Sequence, residues 1–312
     1  MINFTLKQLR YFEAVARHGH FGRAAEACAI SQPALSVQIR ELEEALGAAL
    51  FDRMPRQVRL TGFGEKCAQQ VRAILREVDS LGDLARTAGD PLVGRLRLGV
   101  IPTIAPYLLP TLIRDLDRTH AGLDLHVRES ITPRLIKELA EGRIDTAIVA
   151  LPVSEPSLTE VPLFDEDFLL VRPLADAGKP VPSSEALREM RLLLLEEGHC
   201  FRDQALSFCS MGRAVAREGL DGSSLATLVQ MVGAGLGVTL IPEMAMPVET
   251  RSAPVCVAAF AAPRPTRSVG MIWRKAHPLA EAFAELAEVV RRSALTMRAA
   301  RDDDGVPHKK LA

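Results

Sequence analysis

The most constraining stretch of this chain is residues 63–88, where Cys67, Val71, Ile74, Leu75, Val78, Leu81, Leu84 and Ala85 form one apolar stripe at helical spacing. A helix of roughly 25 residues spans on the order of 38 Å at 1.5 Å per residue, longer than a small domain needs. Its expected use is as a linker and a dimer contact, packed against the same helix of a second copy. Thr61 is placed to cap it, and Ala88, Gly89, Asp90 and Pro91 close it and mark a boundary. The chain is therefore read as a body before this rod and a body after it, and 312 residues suffice for each to bury its own core.

Ahead of the rod, Leu6, Leu9, Phe12 and Ala16 fall at helical spacing, and Gly19 ends that helix. A second short helix covers 21–28. Ser31 then offers an N-cap and Pro33 sits in a first turn, where its missing N–H costs nothing. Leu35, Ile39, Leu42 and Leu46 give a third helix its buried stripe and leave Gln32, Ser36, Gln38 and Arg40 facing outward. Two short helices joined by a tight turn, the second capped and polar outside, match a helix-turn-helix whose recognition helix enters the major groove; by spacing alone a generic helical bundle is the alternative. Residues 50–60 add a turn centred on Pro55 with alternation after it, a small two-stranded wing. DNA contacts are expected from Ser31, Gln32, Pro33, Ser36, Gln38 and Arg40, with the wing arginines Arg53, Arg56 and Arg59 on phosphates or in a minor groove.

Beyond residue 91 strands and helices alternate. Strands at 94–100, 123–129 and 145–149 enclose helices at 104–116 and 134–141, the order of a parallel α/β unit. A second unit starts near Asp167, with a strand at 168–171, a helix at 184–190, a strand at 192–195, a helix at 224–234 and a strand at 237–241. Gly233, Gly235 and Gly237 follow a helix and precede a strand, the reverse of a dinucleotide-binding turn, so they read as turn residues and no cofactor is expected. A strand at 268–273 and a helix at 279–297 return to cover the first unit, and 301–312 reads as a disordered polar tail.

The formal net charge of −1 argues against non-specific wrapping of nucleic acid and leaves room for one small DNA-reading domain. Asp and Glu dominate 160–167, which reads as an acidic surface or as an ordinary solvated face. No run of 18 uncharged apolar residues is present, so no membrane span is expected, and the start lacks an apolar signal core, which places the protein in the cytosol. The five cysteines form no CxxC, giving zinc-finger and thioredoxin readings little support. In a reducing cytosol a disulfide would be transient. Cys28, Cys67 and Cys256 read as small buried hydrophobes. Cys200 differs, because it follows His199, precedes Arg202 by two positions and opens a short helix-like run, surroundings that favour a thiolate. His199 also fits a structural hydrogen-bonding role, and Arg202 a pairing with Asp203 or Glu197.

The combination of Phe12, Phe21, Ala24, Ala25, the run Ser31, Gln32, Pro33, Ala34, Leu35, Ser36, the run Ile39, Arg40, Glu41, Leu42, Glu43, then Leu50, Phe51, Asp52, Arg53 and the turn from Thr61 to Gly64 resembles the LysR-type transcriptional regulators. Within that family, residues 101–110, 161–166 and 195–205 are similar to the hydrogen-peroxide-sensing OxyR branch, and the similarity covers nearly the whole chain. The resemblance implies a winged helix-turn-helix DNA-binding domain (1–61), a linker helix (62–90) and two α/β subdomains of periplasmic-binding-protein type, one formed by 91–166 with 268–300 and the other by 167–267. It implies a dimer of dimers on operator DNA, hydrogen peroxide as the signal, and RNA polymerase and a cellular thiol reductant as partners. It assigns Cys200 as the peroxidatic and Cys209 as the resolving cysteine, and places Thr103, Thr132, His199, Arg202, Asp203 and Arg267 around the peroxide pocket.

Spacing adds a constraint. On one continuous helix Cys200 and Cys209 would stand about 13.5 Å apart on nearly opposite faces, whereas disulfide closure needs Cα atoms within about 7 Å. Oxidation must therefore refold 200–209. The rival readings are a regulator sensing a metabolite between the two α/β units, a thiol peroxidase, and a sequence-blind DNA scaffold.

Overall fold

The computed structural model describes residues 3–54, 57–87, 92–209 and 221–303. Arg56, the expected boundary at 88–91 and the last part of the expected tail, 304–312, lie outside the described residues. Contacts divide the chain into two compact units, Met1–Ala85 and Arg86–Ala312.

The first unit is α1 (Leu6–His18), α2 (Phe21–Ala27), α3 (Gln32–Leu46), the antiparallel pair β1 (Phe51–Met54) and β2 (Gln57–Leu60), and α4 (Gly62–Thr87). Each start is capped: Thr5 and Gln8 form a capping box on α1, His20 Nδ1 accepts from Gly22 and Arg23 N–H on α2, and Ser31 Oγ accepts from Ala34 N–H on α3. Phe12, Leu35, Ile39, Leu42 and Leu50 are fully buried, each worth about 1.5–3 kcal/mol relative to exposure. The Phe51 ring packs against Phe12 at 5.4 Å and Phe21 at 6.0 Å, fixing the wing to the helices. Glu43 accepts from the Leu50 and Phe51 N–H groups at 2.8 and 3.3 Å, which sets where the wing begins. At the start of α4 a Cβ on Gly64 would lie 2.1 Å from the Leu50 carbonyl oxygen, so only glycine fits there. Cys28 and Cys67 pack against this core but are half-buried, more open than the sequence suggests.

The second unit has its own core. It opens with β3 (Gly94–Val100), α5 (Ala105–Thr119), β4 (Leu123–Glu129), α6 (Thr132–Ala140) and β5 (Thr146–Leu151), with β3 parallel to both β4 and β5. Next come β6 (Leu158–Pro173), β7 (Leu194–Leu195), α7 (Cys200–Phe208), β8 (Asp221–Gly222), α8 (Leu225–Gly233), β9 (Thr239–Pro242) and α9 (Met246–Glu249). The unit ends with β10 (Val255–Ala259), β11 (Thr266–Arg274) and α10 (Ala280–Asp303). The sheet runs β10-β6-β11-β5-β3-β4, with β9 also on β6.

Several expectations need correction. The strand expected at 168–171 is the back half of one 16-residue strand, β6, whose front half pairs antiparallel with β11 and whose back half pairs with β9 and β10. The sheet is thus mixed, and β6 is continuous through both α/β halves. Pro162 does not break it, because Pro162 sits where the β11 register shifts between Val269 and Gly270, a place where a missing N–H is tolerated. The helix expected at 184–190 is a single 3₁₀ turn at Ala186–Arg188, and the strand expected at 192–195 is reduced to β7 plus one bridge from Leu192 to Val238. Residues 301–303, expected in the tail, belong to α10. Residues 160–167 are no acidic surface: Glu166 is buried against Arg267, Asp167 pairs with Arg264, and Glu160 accepts from the Val153 and Ser154 N–H groups. Cys256 on β10 is half-buried, its thiol donating to the Pro173 carbonyl at 3.5 Å.

Candidate functional site

On α3 the stripe of Leu35, Ile39 and Leu42 is fully buried, which turns the opposite side outward. Ser31, Gln32, Pro33 and Arg40 are exposed, while Ser36 and Gln38 are half-buried. Gln38 Nε2 donates to Glu41 Oε2 at 2.8 Å, an acceptor it shares with Gln8 Nε2 at 3.2 Å, so Gln38 leans along its own helix rather than standing free. On the wing Arg59 is exposed and lies opposite Asp52 in the strand register. Arg53 lies opposite Val58 in the backbone register, and its side chain is outside the described residues. Val37, which the polar pattern gave no reason to select, is 48% exposed on the same helix.

In the second unit the chain enters α7 through Gly198, whose φ of +92° and proximity to Ile131, 2.9 Å from an added Cβ, call for glycine. His199 is the N-cap residue and Cys200 the first residue of α7, while Cys209 is its C-cap. The two thiols thus stand at opposite ends of one helix, Cys200 half-buried and Cys209 fully buried. Burial pushes the Cys209 thiol up to about 11, against a smaller downward pull from Arg188. Burial holds the His199 imidazole below its ordinary value, with Glu196 pulling the other way.

Around Cys200 is a narrow crevice, too tight in this structure to hold a water molecule, lined by Thr103, Ile131, Thr132, His199 and Phe201 among others. Thr103 lies just before α5, Thr132 opens α6 and Cys200 opens α7, and none of the three helices has a side-chain N-cap hydrogen bond. Their N–H ends and dipoles therefore favour negative charge in this region. Arg267 is buried beneath: its guanidinium donates to Glu166 Oε1 at 2.7 Å, to Thr103 Oγ1 at 2.8 Å and to the Thr103 carbonyl at 3.0 Å, and lies 5.7 Å from the Phe201 ring centroid. Phe201 in turn packs on Phe168 at 4.8 Å. Thr132 Oγ1 is buried, with no hydrogen-bond partner among the described residues.

The geometry brings Thr103, Thr132, His199 and Cys200 together and keeps Arg267 behind Thr103. Arg202 and Asp203 do not line the pocket. Arg202 donates to the Leu195 carbonyl at 2.7 Å and pairs with Asp221 at 2.9 Å, neither of the partners the sequence offered. Of the surroundings expected to favour a thiolate, Arg202 is engaged elsewhere, whereas Cys200 does stand at the N-terminus of α7. Glu166, the buried partner of Arg267, was hidden in sequence within the acidic run.

Residues 6–65 match the pattern described as bacterial regulatory helix-turn-helix protein, lysR family, and residues 89–295 match the LysR substrate binding domain. The chain is 45% identical over 304 residues to a probable hydrogen peroxide-inducible genes activator of Streptomyces viridosporus, covering 96% of this chain and 97% of the relative. Among solved structures it is similar to full-length OxyR of Pseudomonas aeruginosa with a Cys-to-Asp substitution, at TM-score 0.73 and 38% identity over 93% of this chain and 95% of that one. It is also similar to a Cys-to-Ser mutant of Corynebacterium glutamicum OxyR with hydrogen peroxide bound, at TM-score 0.68 and 36% identity over 99% and 98%. Matched along both of its units, the chain belongs to the LysR family of bacterial regulatory helix-turn-helix proteins, in the OxyR branch.

Proposed function

We propose that this chain is a peroxide-responsive transcriptional regulator in which oxidation of Cys200 and its disulfide with Cys209 change how operator DNA is bound. The observation that carries this is the pocket of Thr103, Thr132 and His199 around Cys200, with a second thiol at the far end of the same helix. The Cys200 thiolate attacks one oxygen of hydrogen peroxide, the O–O bond breaks, and the departing hydroxide takes up a proton, leaving a sulfenic acid. Thr103 and Thr132 supply hydroxyls, and His199 a ring nitrogen, to the oxygens during this step. The Cys209 thiol then condenses with the sulfenic acid, releasing water and forming the S–S bond.

Both thiols sit on α7 at a separation of about 13.5 Å along the axis, so closure to about 7 Å requires the helix to unwind. The refolded segment alters protomer packing, turns the linker helices and changes the spacing of the DNA readers. The protein uses no cofactor and acts in the cytosol as a dimer of dimers, with RNA polymerase and a cellular thiol reductant as partners. Cys200 reacts as a sensor rather than as a turnover enzyme. Among the described residues no helix is long and apolar enough to cross a membrane. In this reading Arg267 orders Thr103, while Arg202 and Asp203 hold α7 in place.

Treating the protein with one equivalent of peroxide and mapping its cysteines by mass spectrometry tests the proposal. A Cys200–Cys209 bond is expected, with Cys200→Ser unresponsive and Cys209→Ser retaining the sulfenic acid; a reduced Cys200 after treatment would reject it. One observation favours a second reading. A cleft of about 540 Å³ adjoins the pocket, lined by Tyr107, Glu129, Arg134, Ser224 and Glu249 and sharing Thr103 and His199 with it, a volume that accommodates a small metabolite. Footprinting with peroxide as the only added effector separates the two, since a metabolite sensor would not respond.

A further inference from the structure

Taking 3.6 residues per turn, the buried side of α3 defined by Leu35, Ile39 and Leu42 has its opposite pole within about 15° of Val37. By the same count Arg40 lies about 45° from that pole, Ser36 about 90° and Gln32 and Gln38 more than 110°. Pro33, one turn before Val37, is about 30° away and exposed. Glu44 also lies near the pole but two turns further on, in the C-terminal part of the helix, whereas a recognition helix meets base edges with its N-terminal residues. A single exposed valine is unremarkable on a protein surface. This one occupies the most outward position of the groove-entering half, beside an arginine.

We propose that Val37 reads the 5-methyl group of thymine in the major groove, and so sets base preference at the centre of each copy's contact. Valine has neither donor nor acceptor. Of the base edges in the major groove only thymine offers an apolar group, while guanine, adenine and cytosine would each have a polar atom covered without a partner. Val37 therefore favours thymine both by contact and by excluding the alternatives. The inference rests on α3 being the groove-entering helix, and it names a specificity residue that the polar face alone does not reveal.

The test uses reduced full-length protein and a duplex enriched by that protein from a random pool. Each thymine in the enriched site is replaced in turn by deoxyuridine, which removes only the methyl group, and affinity is measured by fluorescence anisotropy. At one thymine per copy, wild-type binding should weaken about fourfold, the factor for one buried CH₂. Val37→Ala should be insensitive at that thymine and retain wild-type responses at the others, with an unchanged salt slope because phosphate contacts are untouched. Val37→Thr, which keeps one methyl, should restore sensitivity. Ala is tolerated at an exposed helical site, and circular dichroism checks that the variants fold. If Val37→Ala keeps the full wild-type methyl response, or wild type shows none at any thymine, Val37 is not a thymine reader. A pool that yields no enriched sequence would instead remove the underlying assignment of α3 as a base reader.

Discussion

Arg267 Nη1 donates to Thr103 Oγ1 at 2.8 Å, joining β11 to the turn ahead of α5. A guanidinium can only donate, so the threonine oxygen must accept and its own hydroxyl proton is directed away from Arg267. Since Thr103 lines the pocket at Cys200, that proton is available to an oxygen atom there. Thr103→Val keeps the shape and removes the hydroxyl. Stopped-flow consumption of peroxide should slow by about 10²-fold, the range for losing one positioned donor, while Thr103→Ser should stay near wild type.

The other side of Arg267 is held by Glu166, and both side chains are essentially excluded from solvent. Removing one partner of such a pair strands a buried charge, at a cost of about 3–5 kcal/mol. Arg267→Met should accordingly lower the urea midpoint sharply, even though the Met244 N–H still donates to Glu166 Oε2 at 3.2 Å. The double variant with Glu166→Gln should recover much of that loss, because no unpaired charge remains.

Cys209 is the less reactive thiol by burial, and its thiolate is disfavoured until α7 opens. N-ethylmaleimide should label Cys200 well before Cys209 in the reduced protein, and denaturant should remove the difference. The raised value also has a pH signature. Below about pH 9 the thiol is protonated folded and unfolded, and its contribution is fully present; between 9 and about 11 the unfolded chain loses the proton first, so stability falls as pH rises. Cys209→Ala should show a shallower fall across that window.

The DNA-reading unit was legible in sequence because its signals are local. The Ser31 cap, Pro33 in the first turn of α3 and the stripe of Leu35, Ile39 and Leu42 all act within one helix. The second unit was less so where partners lie far apart in the chain. Glu166 and Arg267 are 101 residues apart, and nothing near Glu166 distinguishes a buried carboxylate from the solvated acids around it. Only 168–171 of β6 is legible as a strand, because Pro162 and that acidic run mask the front half, whose pairing along β11 is set by tertiary contacts. Arg202 pairs with Asp221 on β8 rather than with Asp203 or Glu197, because the β7–β8 pairing brings a residue distant in sequence to its side, which local reading does not see.

If α7 must unwind before Cys200 meets Cys209, whatever holds its ends should govern the second chemical step and spare the first. Phe208, at the last turn, packs edge-on against Phe260 at 5.0 Å, and Arg188 Nε donates to the Cys209 carbonyl at 2.8 Å. Phe201 at the first turn packs on Phe168, but it also lines the pocket, so changing it would confuse the two steps. Phe208 is the cleaner probe. Phe260→Leu keeps apolar volume while losing the aromatic pair, worth about 0.5–1.5 kcal/mol beyond burial, and should speed disulfide closure by roughly two- to tenfold. Phe208→Ala should speed it further, with some loss of global stability. Quenched-flow trapping of sulfenic acid and disulfide separates the phases: sulfenic acid formation should keep its wild-type rate in both variants. A closure rate unchanged by either substitution would mean that the C-terminal end of α7 does not limit the switch.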